Sequence, residues 1–128
     1  MIQGIGTDII EISRVRDDLR ELGERFESKL FTQGEQDYCR AQADPAQHYA
    51  ARFAAKEAVL KALGTGWSQG LQWKDVEVIR NDSGAPALKL HGKAQTRSKE
   101  LNIRDWKLSL SHSKEFAVAF CVAQTTQE

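Results

Sequence analysis

Two carboxylates and one lysine are the residues of this sequence whose types and spacing best suit chemistry. Glu57 and Lys61 lie four residues apart in the alanine-rich stretch RFAAKEAVLKAL, and Asp8 follows a glycine-containing stretch near the start of the chain. Residues i and i+4 of a helix share one face, so Glu57 and Lys61 project together among side chains that favour burial. Charged groups in such surroundings are rarely buried unless they are paired or bind an ion. This face is therefore a candidate site.

The chemistry that this set suits is phosphoryl transfer. Mg²⁺ usually keeps several waters and takes its other oxygen ligands from a few carboxylates and a bound phosphate, so Asp8 and Glu57 suit an open magnesium site. Lys61 lies one helical turn after Glu57 on the same face, and its ammonium can contact a phosphate oxygen. Gly64 and Gly66 follow directly and allow backbone amides to approach a phosphate closely. The set therefore predicts a site for a pyrophosphate and a metal ion.

A simpler interpretation of the same residues stays open at this stage. A glutamate and a lysine at i and i+4 can form a surface pair that stabilises a helix by about 0.2–0.5 kcal/mol. The sequence contains no GxxxxGK[ST], HExxH or CxxC motif. Spacing alone does not decide between the pair and the site.

The elements that would position these residues predict an α+β class, with an antiparallel sheet packed against a long central helix. Asp44 and Pro45 suit the start of that helix, and Gly64 suits its end, which gives a helix over 45–63. The first half of the chain otherwise predicts a strand that ends near Asp8, an amphipathic helix over 12–31 that Gly23 can break, and a short helix over 33–41 after a capping box.

The second half of the chain is mostly strands. Residues 73–79 and 87–91 flank the turn NDSGAP and predict a hairpin, and a polar helix fits 92–101. Residues 106–112 alternate as a half-buried strand does. Large and small residues alternate over 116–123, which predicts a central strand covered on both sides. We therefore expect a single domain over 1–123 and a frayed tail over 124–128.

Composition and charge exclude several classes of function. The 128 residues fit one globular domain, and 18 basic residues balance 18 acidic ones, so we expect no nucleic acid partner. No apolar run approaches the ~20 residues of a membrane span, and the first residues lack the basic region of a signal peptide. Cys39 and Cys121 show no metal-ligand or redox spacing. These features predict a cytoplasmic protein without a membrane partner.

Five blocks of the sequence closely resemble one known family. They are GIGTDIIEI at 4–12, FTQGE at 31–35, RFAAKEAVLKALGTG at 52–66, NDSGAP at 81–86 and LSLSH at 108–112. In this order, and in a chain of this length, they resemble the holo-acyl carrier protein synthases, the short 4′-phosphopantetheinyl transferases. The resemblance implies the fold of that family. It also implies transfer of 4′-phosphopantetheine from coenzyme A to a serine of apo acyl carrier protein in fatty acid biosynthesis, with release of adenosine 3′,5′-bisphosphate.

The resemblance also implies roles for individual residues. Asp8 and Glu57 match the family's Mg²⁺ ligands, and Lys61 matches its phosphate-contacting lysine, so Glu57 and Lys61 are the implied catalytic residues. The proton of the serine would pass to Glu57 or to a metal-bound water, and we favour the water because a ligating carboxylate is a weak base. The positions that match the coenzyme A contacts, besides Lys61, are Gly64, Gly66, Pro86, Ser111 and His112, with His112 toward the 3′-phosphate.

Partners and assembly follow from the same resemblance. The first helix of the family docks an acidic helix of the carrier protein, which makes Arg14, Leu22, Arg25 and Phe26 the candidate contacts; otherwise the arginines form a solvated face. The family implies a homotrimer with active sites between subunits. The helical periodicity places Arg52 and Lys56 away from Glu57, where each either faces solvent or serves coenzyme A or a subunit contact.

Two rival functions use the same residues. A metal-dependent nucleotide phosphohydrolase would need the carboxylates, the lysine and the glycines, and would release phosphate without a carrier protein. A regulatory module that binds coenzyme A or a nucleotide would bind without turnover, with Glu57 in a structural ion pair.

Overall fold

The computed structural model describes residues 1–68 and 70–125, and these form the predicted α+β fold. The helices are α1 (Ile12–Leu22), α2 (Glu24–Leu30), α3 (Gln33–Arg40), α4 (Pro45–Leu63) and α5 (Gly92–Glu100). The strands are β1 (Ile2–Glu11), β2 (Val76–Arg80), β3 (Pro86–Leu90), β4 (Ile103–His112) and β5 (Phe116–Thr125), and a 3₁₀ turn over Trp73–Asp75 precedes β2. The predicted break near Gly23 separates α1 from α2.

The main sheet is antiparallel, with β5 between β1 and β4, and the β2–β3 hairpin forms a separate sheet. β1 continues beyond Asp8, where the sequence predicts its end. Asp8 instead lies within the strand opposite Ala119, and pairing continues to Glu11 opposite Phe116. Ile9 and Ile10 continue the strand because β5 offers partners over this whole length.

The last strand also extends further than the sequence predicts. Gln124 and Thr125, expected to belong to a frayed tail, are part of β5 and pair with Ile2 and Ile103, respectively. The Thr125 amide donates to the Met1 carbonyl at 2.9 Å. Pairing to the strands on both sides holds these two residues, and the rest of the predicted tail, 126–128, lies outside the described residues.

The central helix has the predicted bounds and is buried on most of its surface. Its alanines at positions 50, 54, 55 and 58 have no exposed surface, and they pack toward the main sheet. Gly64 ends the helix in the left-handed conformation at φ 75°. Asp44 precedes the helix as predicted but does not cap it, because its carboxylate binds Arg16 at 2.8 Å instead.

The contact between β1 and α4 is a contact of backbone with backbone. A Cβ atom added to Gly6 would collide with the carbonyl oxygen of Ala58, and one added to Gly4 would collide with that of Ala62. Only glycine allows the strand to approach the helix this closely. Asp8 is therefore held against the same stretch of α4 that carries Glu57 and Lys61.

A buried ion pair joins α3 to α4 and to the start of β2. Lys56 and Glu35 have fully buried side chains, and Lys56 Nζ lies 2.9 Å from Glu35 Oε1. Lys56 Nζ also donates to the carbonyls of Trp73 and Val76, and Glu35 Oε2 accepts from the Val78 amide at 2.9 Å. Burial lowers the pKa of the Lys56 ammonium, and the Glu35 carboxylate opposes that shift. Lys56 is a structural residue, so the expectation of a solvent-facing or coenzyme A-binding lysine is wrong.

One face of the main sheet is open to solvent within this chain. The small residues of β5 face α4 and are buried, whereas the large ones lie on the opposite face. Phe116 is 40% exposed and Phe120 is 45% exposed, and Ile5 and Ile9 of β1 are more exposed still. A single chain thus covers β5 on one side only, contrary to the sequence-based expectation of cover on both sides.

No helix among the described residues is long and apolar enough to cross a membrane. Cys39 and Cys121 are both buried and unbridged, and burial raises the pKa of the Cys121 thiol to about 11.

Replacement of Gly6 by alanine tests the contact between β1 and α4. We expect Gly6→Ala to lower the free energy of unfolding by about 1–3 kcal/mol, because the new methyl group meets a backbone carbonyl that cannot rotate away. Urea denaturation measures the loss. The matched control is Gly34→Ala in α3, whose added methyl group would meet the flexible Glu77 side chain at 3.2 Å. The control should change stability by less than about 1 kcal/mol. Equal stabilities of the two variants would contradict the close contact.

Candidate functional site

The close packing of β1 on α4 brings Asp8 and Lys61 together at one edge of the helix. Lys61 Nζ donates to the Thr7 carbonyl at 2.9 Å and to Asp8 Oδ1 at 3.3 Å. Among the described residues, Lys61 makes no ion pair with Glu57, so the simple i,i+4 pair is absent and the lysine turns toward the strand instead. Its side chain is 56% exposed, which leaves the ammonium accessible to a ligand.

Asp8 carries an acceptor that the protein itself does not satisfy. Its Oδ2 atom is buried and has no hydrogen-bond partner among the residues that the structure describes. A buried carboxylate oxygen without a partner is costly, so such an atom indicates a ligand that supplies the missing interaction. A cation bound at Oδ2 would satisfy it.

Glu57 lies one turn before Lys61 and makes a contact that the sequence did not predict. Its Oε1 atom accepts a hydrogen bond from the indole Nε1 of Trp67 at 3.1 Å. Trp67 in turn packs on Trp73 with ring centroids 3.7 Å apart, and Trp73 stacks on Phe53 at 5.0 Å. The sequence does not predict this contact, because the indole reaches Glu57 through the conformation of a loop that has no repeating pattern.

The two carboxylates suit an open magnesium site better than a metal site in which the protein supplies most of the ligands. Residues 1–68 and 70–125 contain no group of three or more His, Cys, Asp or Glu side chains arranged to hold a metal. A cation at Asp8 and Glu57 would therefore take its remaining ligands from water and substrate oxygens. This is the usual coordination of Mg²⁺ in phosphoryl-transfer sites, whereas Ca²⁺ and Zn²⁺ take more ligands from the protein.

The glycines after α4 lie where the sequence predicts them. Gly64 and Gly66 both have positive φ, and an added Cβ would contact nothing within 4 Å at either position. The loop is therefore open and its amides can approach an anion. Pro86, in contrast, begins β3 opposite Arg80 in the hairpin. Within the described part of the chain, no hydrogen bond connects Pro86 to Glu57 or Lys61.

Ser111 and His112 project to opposite faces of the main sheet, because neighbouring residues of a strand alternate. His112 pairs with Ala117, whose buried face is the one that also carries Asp8. Ser111 pairs with Val118, on the open apolar face. Of these two residues, His112 therefore lies on the same side of the sheet as Asp8, and Ser111 lies on the other side.

An electropositive pocket lies beside the middle of α4. The guanidinium groups of Arg52 and Arg80 lie over the Tyr38 ring at 4.2 and 4.9 Å from its centroid. They line a cavity of about 190 Å³ together with Glu77, whose Oε2 accepts a hydrogen bond from Thr32 Oγ1 at 2.7 Å. Arg52 is 3% exposed, and its Nε atom has no partner among the described residues. Arg52 Nη1 donates to the His48 carbonyl at 3.4 Å, so the side chain keeps a buried Nε–H without a partner next to a cavity, which indicates a site for an anion.

Two histidines, His48 and His112, lie near this pocket. Burial lowers the pKa of His48, and the nearby Arg52, His112 and Arg80 lower it further. His112 therefore lies close to His48 and to the two arginines. The sequence left the role of Arg52 open, and the structure separates it from Lys56: Arg52 faces a cavity, whereas Lys56 is satisfied in the interior.

A groove runs along α1 and α2 and brings the predicted docking residues together. Leu22, Arg25 and Phe26 line a cavity of about 500 Å³ with Phe53 and Trp73. Arg14 lines an adjoining cavity that shares Phe26 and Phe53 with the first. Other arginines of α1 are engaged: Arg16 binds Asp44 and Arg20 binds Asp17.

Arg14 and Arg25 differ from those two arginines in being available. Neither makes an ion pair within the described residues, and both are exposed. With Lys29, which is also exposed, the groove combines an apolar floor with three available cations and one carboxylate, that of Asp18. An acidic amphipathic helix has the charge and shape that such a groove would bind.

Comparison with known proteins shows similarity to one family over nearly the whole chain. The family model of the 4′-phosphopantetheinyl transferase superfamily matches residues 4–121. A holo-[acyl-carrier-protein] synthase of Geobacter metallireducens is 49% identical over 124 residues, which are 97% of this chain and 98% of the relative.

Solved structures show the same similarity in three dimensions. The holo-[acyl-carrier-protein] synthase of Neisseria meningitidis has a TM-score of 0.87 at 32% identity, covering 98% of this chain and 100% of that one. The Helicobacter pylori synthase, solved in complex with coenzyme A, has a TM-score of 0.82 at 28% identity, covering 94% of this chain and 99% of that one.

Proposed function

Because the chain belongs to the 4′-phosphopantetheinyl transferase superfamily, we propose that it transfers 4′-phosphopantetheine from coenzyme A to a serine hydroxyl of an apo acyl carrier protein. Adenosine 3′,5′-bisphosphate is the second product. The observation that carries the proposal is the unpartnered Oδ2 of Asp8 beside the exposed Lys61 ammonium. The curated relative is a holo-[acyl-carrier-protein] synthase, and a solved relative binds coenzyme A. We place the reaction in the cytoplasm, in fatty acid biosynthesis.

Asp8 and Glu57 are the proposed ligands of Mg²⁺. When bound, the ion would neutralise negative charge on the pyrophosphate of coenzyme A. The support for this assignment is the donor set: two carboxylates without further protein ligands, one of which has a buried oxygen that nothing else satisfies.

The remaining residues of this edge bind and orient the pyrophosphate. Lys61 would donate from its exposed ammonium to a phosphate oxygen, and the amides after Gly64 and Gly66 would donate to others. The serine oxygen then attacks the phosphorus that carries the pantetheine arm, and the bond from that phosphorus to the bridging oxygen breaks. The bridging oxygen leaves with the bisphosphate.

A water molecule, rather than Glu57, is the proposed acceptor of the serine proton. Glu57 already accepts a hydrogen bond from Trp67, and a carboxylate that also ligates a cation is a weak base.

The pocket at Arg52 is the proposed subsite for the 3′-phosphate of coenzyme A. Arg52 and Arg80 supply positive charge to this region, and His112 lies near it. The pKa of His48 is lowered first by burial and then by these neighbours. A dianionic phosphate is the part of coenzyme A whose charge this pocket would complement. Pro86 would border the nucleotide from the start of β3, opposite Arg80.

The groove on α1 and α2 is the proposed docking site of the carrier protein. Leu22 and Phe26 would contact apolar side chains of an acidic helix, and Arg14 and Arg25 would pair with its carboxylates. Phe53 and Trp73, which line the groove, also belong to the aromatic stack that ends at Trp67 beside Glu57. A carrier held here would have a short path to the carboxylates.

The open face of the main sheet is the proposed centre of a homotrimer. Ile5, Ile9, Phe116 and Phe120 expose an apolar surface that a second copy of the chain would cover. Ser111 lies on this face, so a neighbouring subunit would meet it there. The assembly would then place active sites between subunits, with Ser111 and His112 serving different sides of the sheet.

Replacement of Glu57 by glutamine tests the proposed reaction. We expect Glu57→Gln to lower kcat/KM by at least about 100-fold, which is about 2.7 kcal/mol of transition-state stabilisation. The measurement is the intact mass of an apo acyl carrier protein after incubation with coenzyme A and Mg²⁺. Glu100→Gln is the matched control, because this exposed carboxylate on α5 makes only a 3.7 Å contact with Arg97.

Three outcomes would contradict the proposal. Near-normal transfer by Glu57→Gln would exclude the site. Phosphate release from a nucleotide without any carrier would favour a phosphohydrolase, and coenzyme A binding without turnover across several carriers would favour a regulatory module.

Reversal of charge at Arg25 tests the docking groove. We expect Arg25→Glu to raise the KM for the carrier protein by about 10-fold at low salt, with little effect on the KM for coenzyme A. Added salt should raise the KM of the parent protein and reduce the difference, because it screens exposed charges. Arg104→Glu, an exposed reversal on β4, is the control. A KM for the carrier that is independent of salt would contradict the electrostatic part of this assignment.

Replacement of Phe120 by aspartate tests the proposed trimer. We expect Phe120→Asp to convert a trimer into monomers, because an ionised carboxylate cannot be buried without a partner. Sedimentation velocity measures the mass of each form. Ile79→Asp is the control, since Ile79 is also exposed, at 37%, but lies on β2 outside the open face. A monomeric parent protein would contradict the proposed trimer.

A further inference from the structure

We propose that Trp67 is a positioning residue for Glu57, whose indole N–H fixes the carboxylate in the orientation that binds the metal ion. The proposal rests on the proposed function, because it assigns Glu57 to the metal. It adds a residue outside the two ligands and predicts how the metal affinity of this chain depends on one hydrogen bond.

The geometry of the hydrogen bond sets which oxygen is used. Trp67 Nε1 lies 3.1 Å from Oε1 of Glu57, within the usual range of an N–H···O bond. Indole nitrogen is a donor only, so this contact requires an acceptor and is compatible with an ionised carboxylate. With Oε1 held by the indole, Oε2 is the oxygen directed to a cation.

The indole itself is held by the core. Its ring packs on Trp73 at a centroid distance of 3.7 Å, and Trp73 stacks on Phe53 with an angle of 21° between the ring planes. The Trp73 carbonyl accepts a hydrogen bond from the buried Lys56 ammonium at 3.1 Å. Trp67, a loop residue, is thus anchored through Trp73 to the buried pair of Lys56 and Glu35.

The energetic effect follows from the freedom of a glutamate side chain. A half-buried glutamate without a partner samples several rotamers, and a metal ion must select the ligating one. A fixed partner removes part of that ordering cost before the ion binds. Hydrogen-bond partners of metal ligands typically contribute about 10–100-fold in metal affinity or activity.

The first test observes the unmodified protein. In ¹⁵N-tryptophan-labelled protein, each indole N–H gives one resonance, and the Trp67→Phe spectrum identifies which belongs to Trp67. We expect the Trp67 indole resonance to shift on titration with MgCl₂ and to saturate with the metal dissociation constant. The Trp106 indole, which donates to Ser98 Oγ at 3.2 Å, is the internal control and should not shift. A Trp67 resonance unaffected by saturating Mg²⁺ would overturn the proposal.

The second test removes the donor while keeping an aromatic ring. We expect Trp67→Phe to weaken Mg²⁺ binding by about 10-fold in calorimetry and to raise the Mg²⁺ concentration for half-maximal transfer equally. At saturating Mg²⁺, kcat should recover to within about 3-fold of the parent, because the ligands themselves are unchanged. Trp106→Phe, which removes an equivalent indole bond elsewhere, should leave Mg²⁺ affinity unchanged.

The outcomes separate this proposal from the proposed function. If the parent protein transfers phosphopantetheine and binds Mg²⁺ but Trp67→Phe binds it equally well, the positioning role is wrong and the function stands. If the parent binds no Mg²⁺, both the metal assignment and the positioning role fail. Equal losses in Trp67→Phe and Trp106→Phe would indicate a general effect of removing an indole and would also overturn the proposal. If Trp67→Phe does not fold, the spectra of Trp73→Phe and Trp106→Phe identify the Trp67 resonance by elimination among the three tryptophans, and the indole titration of the parent decides.

Discussion

The contact between the backbone of β1 and the backbone of α4 is the constraint on which this structure depends. Gly4 and Gly6 have no side chains, and the carbonyls of Ala58 and Ala62 occupy the space where side chains would be. This approach brings Asp8 to Lys61. Two elements distant in sequence, β1 and α4, thus form one candidate site. The need for glycine at positions 4 and 6 also fixes the register of the strand. A slip of one residue would turn Asp8 to the other face of the sheet.

The sequence predicts the fold well because its signals are local. The bounds of α4, the capping box of α3 and the hairpin follow from cap residues, glycines and periodicity within a few positions. The structure also brings Asp8 and Lys61 together, although β1 is longer than expected. Ser111 and His112 illustrate a missed inference, since simple alternation along β4 would already have placed them on opposite faces.

What the sequence could not provide depends on distant parts of the chain. Helical periodicity shows that Lys56 points away from Glu57, but it does not show that Glu35 of α3 lies there to neutralise it. In the same way, Arg52 has the sequence environment of a surface residue, yet it lines a cavity beside Tyr38 and Arg80. Trp67 reaches Glu57 only through the conformation of a loop. Tertiary contacts, not propensity, decide these three cases.

The order of the strands has a consequence for the time course of synthesis. β5 is the central strand of the main sheet and also the last element described, so β1 and β4 have no sheet partner until residues 116–125 have been made. β1 pairs with a segment more than a hundred positions away, as Ile2 opposite Gln124 shows. Sheets closed by such non-local pairs form slowly, and their unpaired edges are open to other chains. A ribosome-bound chain would therefore hold its first strand against α4 alone until β5 has been made and can pair.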